Sequence, residues 1–96
     1  MATYVALINF TDQGVRNVKD SPKRLAAATK LAKSLGVKVR QGLWTMGQFD
    51  IVIIAEGDED AVAAWMYKVG SLGNVRSTTL RAFNESEMQK IVARIP

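Results

Sequence analysis

Two segments of this sequence are apolar on both faces of an extended chain, and they constrain its fold more than any other feature. In residues 3–10, aliphatic side chains occupy both the odd and the even positions. Residues 49–56 contain an unbroken aliphatic run over residues 51–55. Because a strand with two apolar faces has to be covered on both sides, we predict that both segments are central strands of a sheet.

Local signals predict three helices between and after these strands. Ser21, followed by proline, is a suitable N-cap for the first helix, and Gly36 is a suitable C-terminal stop. Asp58 begins the second helix, and Asn84 with Glu87 predicts a capping box at the third. In the third helix the expected buried stripe consists of Met88, Ile91, Val92 and Ile95.

Two further strands, at residues 37–44 and from about 75 to 83, are more polar and are predicted to lie at the sheet edges. In the first of them strict alternation predicts one face of Val37, Val39, Gln41 and Leu43 and an opposite face of Lys38, Arg40, Gly42 and Trp44. A short connection at residues 45–48 joins it to the next strand, which is predicted to start at Phe49.

The resulting order is β-α-β-β-α-β with a C-terminal helix, which is the ferredoxin-like arrangement in the α+β class. Right-handed crossovers then give a four-stranded antiparallel sheet with strands 1 and 3 in the centre. At 96 residues the chain is long enough for a single domain over residues 1–96.

Two helices cover only one face of such a sheet, and the other face would remain apolar. A monomer rarely exposes a contiguous apolar patch larger than a few hundred Å². We therefore expect a homodimer that forms through the helix-free sheet face, with the last helix at its rim. The sequence leaves open which face this is: the interface contains either the Val5 or the Ala6 side of strand 1, and Ile53 is on one of the two sides of strand 3.

The chain contains neither cysteine nor histidine. This excludes disulfides, Cys/His zinc sites, haem ligation by these residues, and Ser-His or Cys-His nucleophilic catalysis. The carboxylates lie in turns and at helix starts without the spacing of a metal loop. The sequence therefore predicts no catalytic residue, no metal site and no cofactor, and Asp50 is the candidate base if an activity exists.

Charge is distributed unevenly, since residues 1–49 carry a formal charge of +6 and residues 50–96 a charge of −2. No aromatic side chains alternate with the basic ones to stack bases, so the pattern favours a solvated surface over nucleic-acid binding. The longest apolar run is too short to cross a membrane, and the N-terminus lacks a basic leader. A cytoplasmic location with no membrane partner is expected.

The motif Gly47-Gln48-Phe49-Asp50 combines a flexible turn with a carboxylate beside an apolar strand. It fits two roles, a structural hairpin device or a polar anchor in a cleft. Asn9, Trp44, Asp50 and Arg81 are the candidate ligand-binding residues, because they flank the apolar sheet at strand ends and combine an aromatic ring with polar groups.

Residues 9–24, 44–50 and 70–83 resemble the three signature stretches of the GYD domain family, small prokaryotic proteins of largely uncharacterised function. The namesake Gly-Tyr-Asp corresponds here to Gly47-Gln48-Phe49-Asp50, with phenylalanine in place of tyrosine and an inserted glutamine. The resemblance implies membership of the dimeric α/β-barrel superfamily, in which two ferredoxin-like sheets pack face to face.

That superfamily implies two classes of function. The hairpin and the acidic start of the second helix resemble the effector-binding domain of feast/famine regulators, which implies a small-molecule-binding or accessory module acting at a subunit interface. The alternative is a cofactor-light monooxygenase or isomerase, for which Asn9 and Trp44 supply residue types of the expected cleft. The absence of histidine excludes the haem degraders of that class.

Overall fold

The computed structural model describes residues 1–96 as four strands and four α-helices. In chain order these are β1 (Ala2–Phe10), α1 (Asp12–Arg16), a 3-10 turn (Val18–Asp20), α2 (Ser21–Ser34), β2 (Lys38–Trp44), β3 (Ile51–Gly57), α3 (Glu59–Ser71), β4 (Val75–Ala82) and α4 (Glu85–Ala93). The predicted β-α-β-β-α-β order with a C-terminal helix is confirmed, and the short α1 is added after β1.

The four strands form one antiparallel sheet in the order β2-β3-β1-β4. The two segments that are apolar on both faces are its central strands, as predicted. At the middle of the sheet Ala6 pairs with Ile53 of β3 on one side and with Thr79 of β4 on the other.

The hydrophobic core lies between this sheet and the helices α2 and α3. Trp65 of α3 is the largest fully buried side chain, and its indole N–H donates to the carbonyl of Ala28 in α2 at 2.9 Å. Ala6 and Ile53 are both buried in this core. The structure therefore resolves the open choice of face: the Ala6 and Ile53 sides face the helices. The other buried apolar residues are Ile8, Ala32, Val37, Ile51, Ala55, Val62 and Val75.

The opposite side of the sheet is apolar and is not covered by a helix. We call it the open face, and its apolar residues are Val5, Leu7, Leu43, Val52, Ile54 and Leu80. The central four are half-buried, while Leu43 and Leu80 at the outer strands are 49% and 47% exposed. The face predicted to lack helices thus exists.

The predicted alternation of β2 is wrong. A bulge between Val39 and Gln41 shifts the register, so that Val39 lies on the helix side while Gln41 and Leu43 lie on the open face. An extra residue in one strand reverses the side on which every later residue lies. The next strand also starts later than predicted, at Ile51 instead of Phe49.

The apolar stripe of α4 is also not buried. The capping box forms as predicted, with Asn84 accepting from the Glu87 N–H and Glu87 accepting from the Asn84 N–H. No residue of α4 is buried, and Met88 and Ile95 are 47% and 64% exposed. The capping box depends only on residues within one turn of the helix, and it therefore forms. Burial of the stripe depends on a second surface that packs against it, and no other part of this chain covers it.

Gly14 lies where α1 contacts the loop before β4. A Cβ atom at this position would lie 1.9 Å from the carbonyl oxygen of Asn74, a backbone atom that also accepts from the Thr11 N–H. Gly14→Ala is therefore expected to destabilise the fold by about 1–3 kcal/mol, since the clash is with backbone and cannot be relieved by a rotamer. Urea unfolding followed by circular dichroism measures this change.

The matched control is Gly70→Ala within α3. A Cβ atom at Gly70 meets nothing within 4 Å, and this glycine has no positive φ. Because alanine is the better helix former, this variant should gain up to about 1 kcal/mol. Equal effects of the two substitutions would contradict the assigned contact.

Candidate functional site

The Gly47-Gln48-Phe49-Asp50 motif fastens the β2–β3 hairpin to the end of β1. A carboxylate oxygen of Asp50 accepts from the Phe10 N–H at 2.8 Å, and the Asp50 N–H donates to the Ile8 carbonyl at 2.8 Å. The Asp50 carbonyl in turn accepts from the Thr45 N–H at 2.8 Å. Asp50 thus continues the ladder between β1 and β3 beyond the last regular strand pair.

Asn9 holds the tip of the same hairpin. Its side-chain amide donates to the Gln48 carbonyl at 2.6 Å, and Gly47 at the tip has a φ of 122°, a conformation that favours glycine. The structural role predicted for the motif is therefore present, and Asn9 and Asp50 together fix the loop against β1.

Trp44 contacts the other side of the sheet at this end. Its indole N–H donates to the hydroxyl of Ser21 at 2.9 Å, and Ser21 is buried at the start of α2. The Trp44 residue itself remains 47% exposed. The exposed part of the Trp44 ring thus lies next to the hairpin, and the indole N–H, the only polar group of this side chain, is already bonded within the protein.

Arg81 lies at the far end of the sheet. It pairs with Tyr4 across β1 and β4, five residues along β1 from Asn9, which corresponds to about 17 Å of strand. Its guanidinium lies 4.4 Å from the centre of the Phe83 ring, donates to the carbonyls of Thr3 and Ala82, and pairs with Glu87 at 3.5 Å.

The four candidate ligand-binding residues therefore do not form one site. Asn9, Asp50 and Trp44 gather at the hairpin end, whereas Arg81 belongs to a separate cluster at the start of α4. One small ligand within a single chain cannot contact all four. None of the four lines a groove of this chain.

Sequence reasoning missed two grooves beside α2. One, between α2 and α3, has a volume of about 330 Å³ and is mostly apolar, with Arg24 and Asn74 as its polar residues. The other, of about 660 Å³, lies between α2 and the beginning of β2. The three consecutive alanines at residues 26–28 are the signal that could have indicated them, because small side chains leave space at a helix surface.

No group of three or more Asp or Glu side chains is placed to hold a metal ion. No helix has both the length and the apolar character needed to cross a membrane.

Removal of the Asp50 carboxylate should loosen the hairpin. Asp50→Ala leaves the Phe10 N–H without its acceptor, and an expected loss of about 1–3 kcal/mol follows from leaving a half-buried donor unpaired. Asp50→Asn retains an acceptor oxygen and should lose less. Urea unfolding measures the loss, and amide hydrogen exchange at Phe10 should accelerate in Asp50→Ala. The control is Asp20→Ala: this carboxylate lies at the N-cap of α2 without a side-chain cap bond, so its removal should cost less than about 1 kcal/mol and should leave exchange at Phe10 unchanged. Unchanged exchange at Phe10 would contradict the role of Asp50.

The start of α4 should be sensitive to acid. The hydrogen bond from the Asn84 N–H holds the pKa of Glu87 below its usual range, and Arg81 lowers this pKa further. Since the folded-state pKa is depressed, the stabilisation is fully present above the unfolded pKa of about 4.3 and is lost as the pH falls through the folded pKa. Amide exchange in residues 85–88 should therefore increase below about pH 4 relative to α3. Glu87→Gln should remove most of this pH dependence, and an identical acid response in that variant would contradict the assignment.

The sheet order, the two helices on one side and the open apolar face define the ferredoxin-like class of α+β proteins. The chain belongs to the GYD domain family, whose domain matches residues 4–92. A Thermus thermophilus protein named glutamine synthetase and cystathionine beta-lyase binding protein is 29% identical over 90 residues, which cover 92% of this chain and 95% of the relative.

Among solved structures, the chain is similar to a homoserine dehydrogenase from Thiobacillus denitrificans, with a TM-score of 0.62 and 21% identity over 86% of this chain. The chain spans only 17% of that enzyme's length, so the likeness concerns the fold of one of its segments.

Proposed function

We propose that this protein is a small accessory module that forms a homodimer and binds other proteins, with its ligand-binding groups near the subunit interface. The observation that carries the proposal is the open face, where six aliphatic side chains from all four strands lie on one uncovered side of the sheet. An apolar surface of this kind is typical of protein interfaces rather than of free monomer surface.

A second copy of the chain is the occupant that fits the open face. Two such faces are self-complementary around a two-fold axis, and stacked sheets pack about 10 Å apart through aliphatic side chains of this size. The stripe of α4 adds further exposed apolar surface, with Met88 47% and Val92 51% exposed. The helix side of the sheet is already covered by α2 and α3, and it is therefore not part of this interface.

The accessory role is supported by the Thermus thermophilus relative, whose name states that it binds glutamine synthetase and cystathionine beta-lyase. That relative is matched over nearly its whole length, so the shared part is not a fragment of a larger enzyme. We extend protein binding to this chain and take these two enzymes as the partners to test first.

Biolayer interferometry with the immobilised protein tests this role directly. Purified glutamine synthetase and cystathionine beta-lyase are the analytes, and an unrelated metabolic enzyme of similar size and charge is the control. We expect saturable binding of at least one of the two. If the immobilised protein is folded and dimeric and binds neither enzyme, the proposed partners are contradicted.

A small ligand is proposed at the hairpin end, near Asn9, Trp44 and Asp50, with Arg81 outside that site. Because none of these residues lines a groove of the single chain, the second subunit of the proposed dimer would have to close the pocket. A thermal-shift screen against amino acids, nucleotides and small aromatic acids tests it, because a ligand at 100 times its Kd stabilises the native state by about 2.7 kcal/mol. A shift that disappears in Asn9→Ala but persists in Arg81→Ala is the expected pattern. A screen without any shift would contradict the small-ligand part while leaving protein binding intact.

A further inference from the structure

The groove between α2 and α3 continues inward toward the sheet. Its volume of about 330 Å³ is at the lower end of the range for small-molecule sites in proteins. A small void of about 40 Å³ lies beneath it, against the buried side of β3, and four residues line both spaces: Arg24, Ala28, Val69 and Val75. Because the groove lies on the helix side of the sheet, a dimer formed through the open face leaves it accessible.

Most of the groove wall is apolar and consists of small or aliphatic side chains. Ala27 and Leu31 belong to the wall on α2, and Val69 and Leu72 form the wall on the other side. Leu72 is 56% exposed, so the apolar wall reaches the protein surface. An apolar molecule that enters the groove removes this surface from water, which favours binding in proportion to the area buried.

Arg24 is the one charged residue that lines the groove, and it also lines the void. It is half-buried, and its guanidinium donates to two backbone carbonyls, those of Asn17 at 2.8 Å and Gly14 at 3.1 Å. These bonds fix the position of the guanidinium, use two of its five N–H donors and leave its charge unneutralised. Neither ion pair of the protein includes Arg24, so this positive charge has no carboxylate partner within the chain.

Two neutral donors line the same space. Ser21, at the void, is 3% exposed; its hydroxyl oxygen accepts from the Trp44 indole at 2.9 Å, while its hydroxyl hydrogen has no acceptor within the chain. Asn74, at the groove, accepts from the Gln13 side chain at 2.9 Å through its side-chain oxygen, and its own amide group donates to no group of the protein. Donors that are buried or half-buried normally have acceptors, so these two and Arg24 together favour a ligand with acceptor oxygens.

We propose that the groove between α2 and α3 binds a small monocarboxylate with an apolar body, a branched-chain or phenyl-substituted alkanoic acid. The carboxylate accepts from the remaining N–H groups of Arg24, for which bidentate geometry is typical, and Ser21 and Asn74 are the further donors. The apolar body contacts Ala27 and Val69. An ammonium group on the ligand would meet the charge of Arg24 without a compensating carboxylate, so the site discriminates against amino acids.

This site is separate from the hairpin end, and it does not depend on the proposed accessory function. Titration of the isotope-labelled full-length protein with phenylpropionate, followed by NMR, tests it. Three comparison ligands are phenylpropionamide, which lacks the charge, phenylalanine, which adds an ammonium group, and acetate, which lacks the apolar body. We expect saturable binding of phenylpropionate with shifts in the amide signals of Ala28, Val69 and Asn74, and at least about tenfold weaker binding of all three comparison ligands.

Two alanine positions test the groove without touching Arg24. Ala27→Leu fills the groove, whereas Ala26→Leu makes the same change at the preceding residue of α2, which does not line it. Both alanines are exposed and leucine is a good helix former, so both variants should fold. We expect binding to be lost in Ala27→Leu and to change less than about twofold in Ala26→Leu.

A second pair of variants tests the charge. Arg24→Gln should weaken binding of phenylpropionate at least about tenfold, because it removes the charged donor. Lys23→Gln removes the same charge from the neighbouring residue, which lines no groove, and should weaken binding less than about threefold. Since Arg24→Gln also removes the bonds to Asn17 and Gly14, the alanine pair remains the test that leaves these bonds intact.

Several outcomes would overturn the inference. These are absence of phenylpropionate binding, equal affinity for its amide, and unchanged binding in Ala27→Leu. Binding that is lost in Asn9→Ala instead would place the ligand at the hairpin end and support the site proposed there. Loss of enzyme binding in Ala27→Leu, without binding of any acid, would assign the groove to a partner protein. If phenylpropionate binds as expected and neither enzyme does, this inference stands and the proposed partners fail.

Discussion

A folded monomer of 10.5 kDa is the expected result of replacing Ile54 by aspartate. Ile54 lies on the open face at the centre of the sheet, where two faces would meet in the proposed dimer. An unpaired carboxylate buried there costs several kcal/mol in the dimer, whereas in the monomer it remains in contact with water. Sedimentation velocity at micromolar concentration should show a dimer for the unmodified protein and a monomer for Ile54→Asp.

Two variants control this experiment. Val18→Asp places the same charge at a residue that is 44% exposed on the α1–α2 connection, and it should leave the dimer intact. Ile53→Asp places it one residue away, at a side chain that is 2% exposed and faces the helices, and it should unfold the protein. A monomeric unmodified protein, or an Ile54→Asp variant that stays dimeric, would contradict the interface.

Trp65→Ala should cause the largest loss of stability among single substitutions in the core. Trp65 is 1% exposed between α2 and the sheet, and its removal leaves a cavity and breaks the hydrogen bond to the Ala28 carbonyl. Truncation of a buried tryptophan costs about 3–5 kcal/mol, out of about 5–15 kcal/mol for a whole domain. The melting temperature should fall by more than about 12 °C, measured by circular dichroism.

Tyr67→Ala is the matched control for this substitution, since it removes an aromatic residue from the same helix at a position that is 80% exposed. It should change stability by less than about 0.5 kcal/mol. Trp65→Phe, which retains a ring but not the N–H donor, should fall between the two. A Trp65→Ala protein as stable as Tyr67→Ala would contradict the assigned core.

The positions of the candidate site residues show which part of the site could be predicted from sequence. The sequence predicts Asp50 and Asn9 as polar groups at strand ends, and they lie at the same end of the sheet. The same pattern places Arg81 with them, because it also flanks an apolar strand. In the structure β4 pairs with β1 in the register that places Arg81 opposite Tyr4, at the other end of the sheet. Distance along a strand depends on register, and register involves residues more than seventy positions apart in the chain.

Local patterns are sufficient to predict the element order, the central position of β1 and β3, and the cap of α4, because these features depend on periodicity and on groups within a few residues of one another. Three other features are visible only in the folded chain: Ala6 and Ile53 face the helices, the bulge before Gln41 moves Leu43 to the open face, and the α4 stripe lies uncovered. In a sheet, the two sides of an apolar strand are chemically equivalent until the helices pack on one of them. That choice depends on long-range packing, which local patterns do not contain.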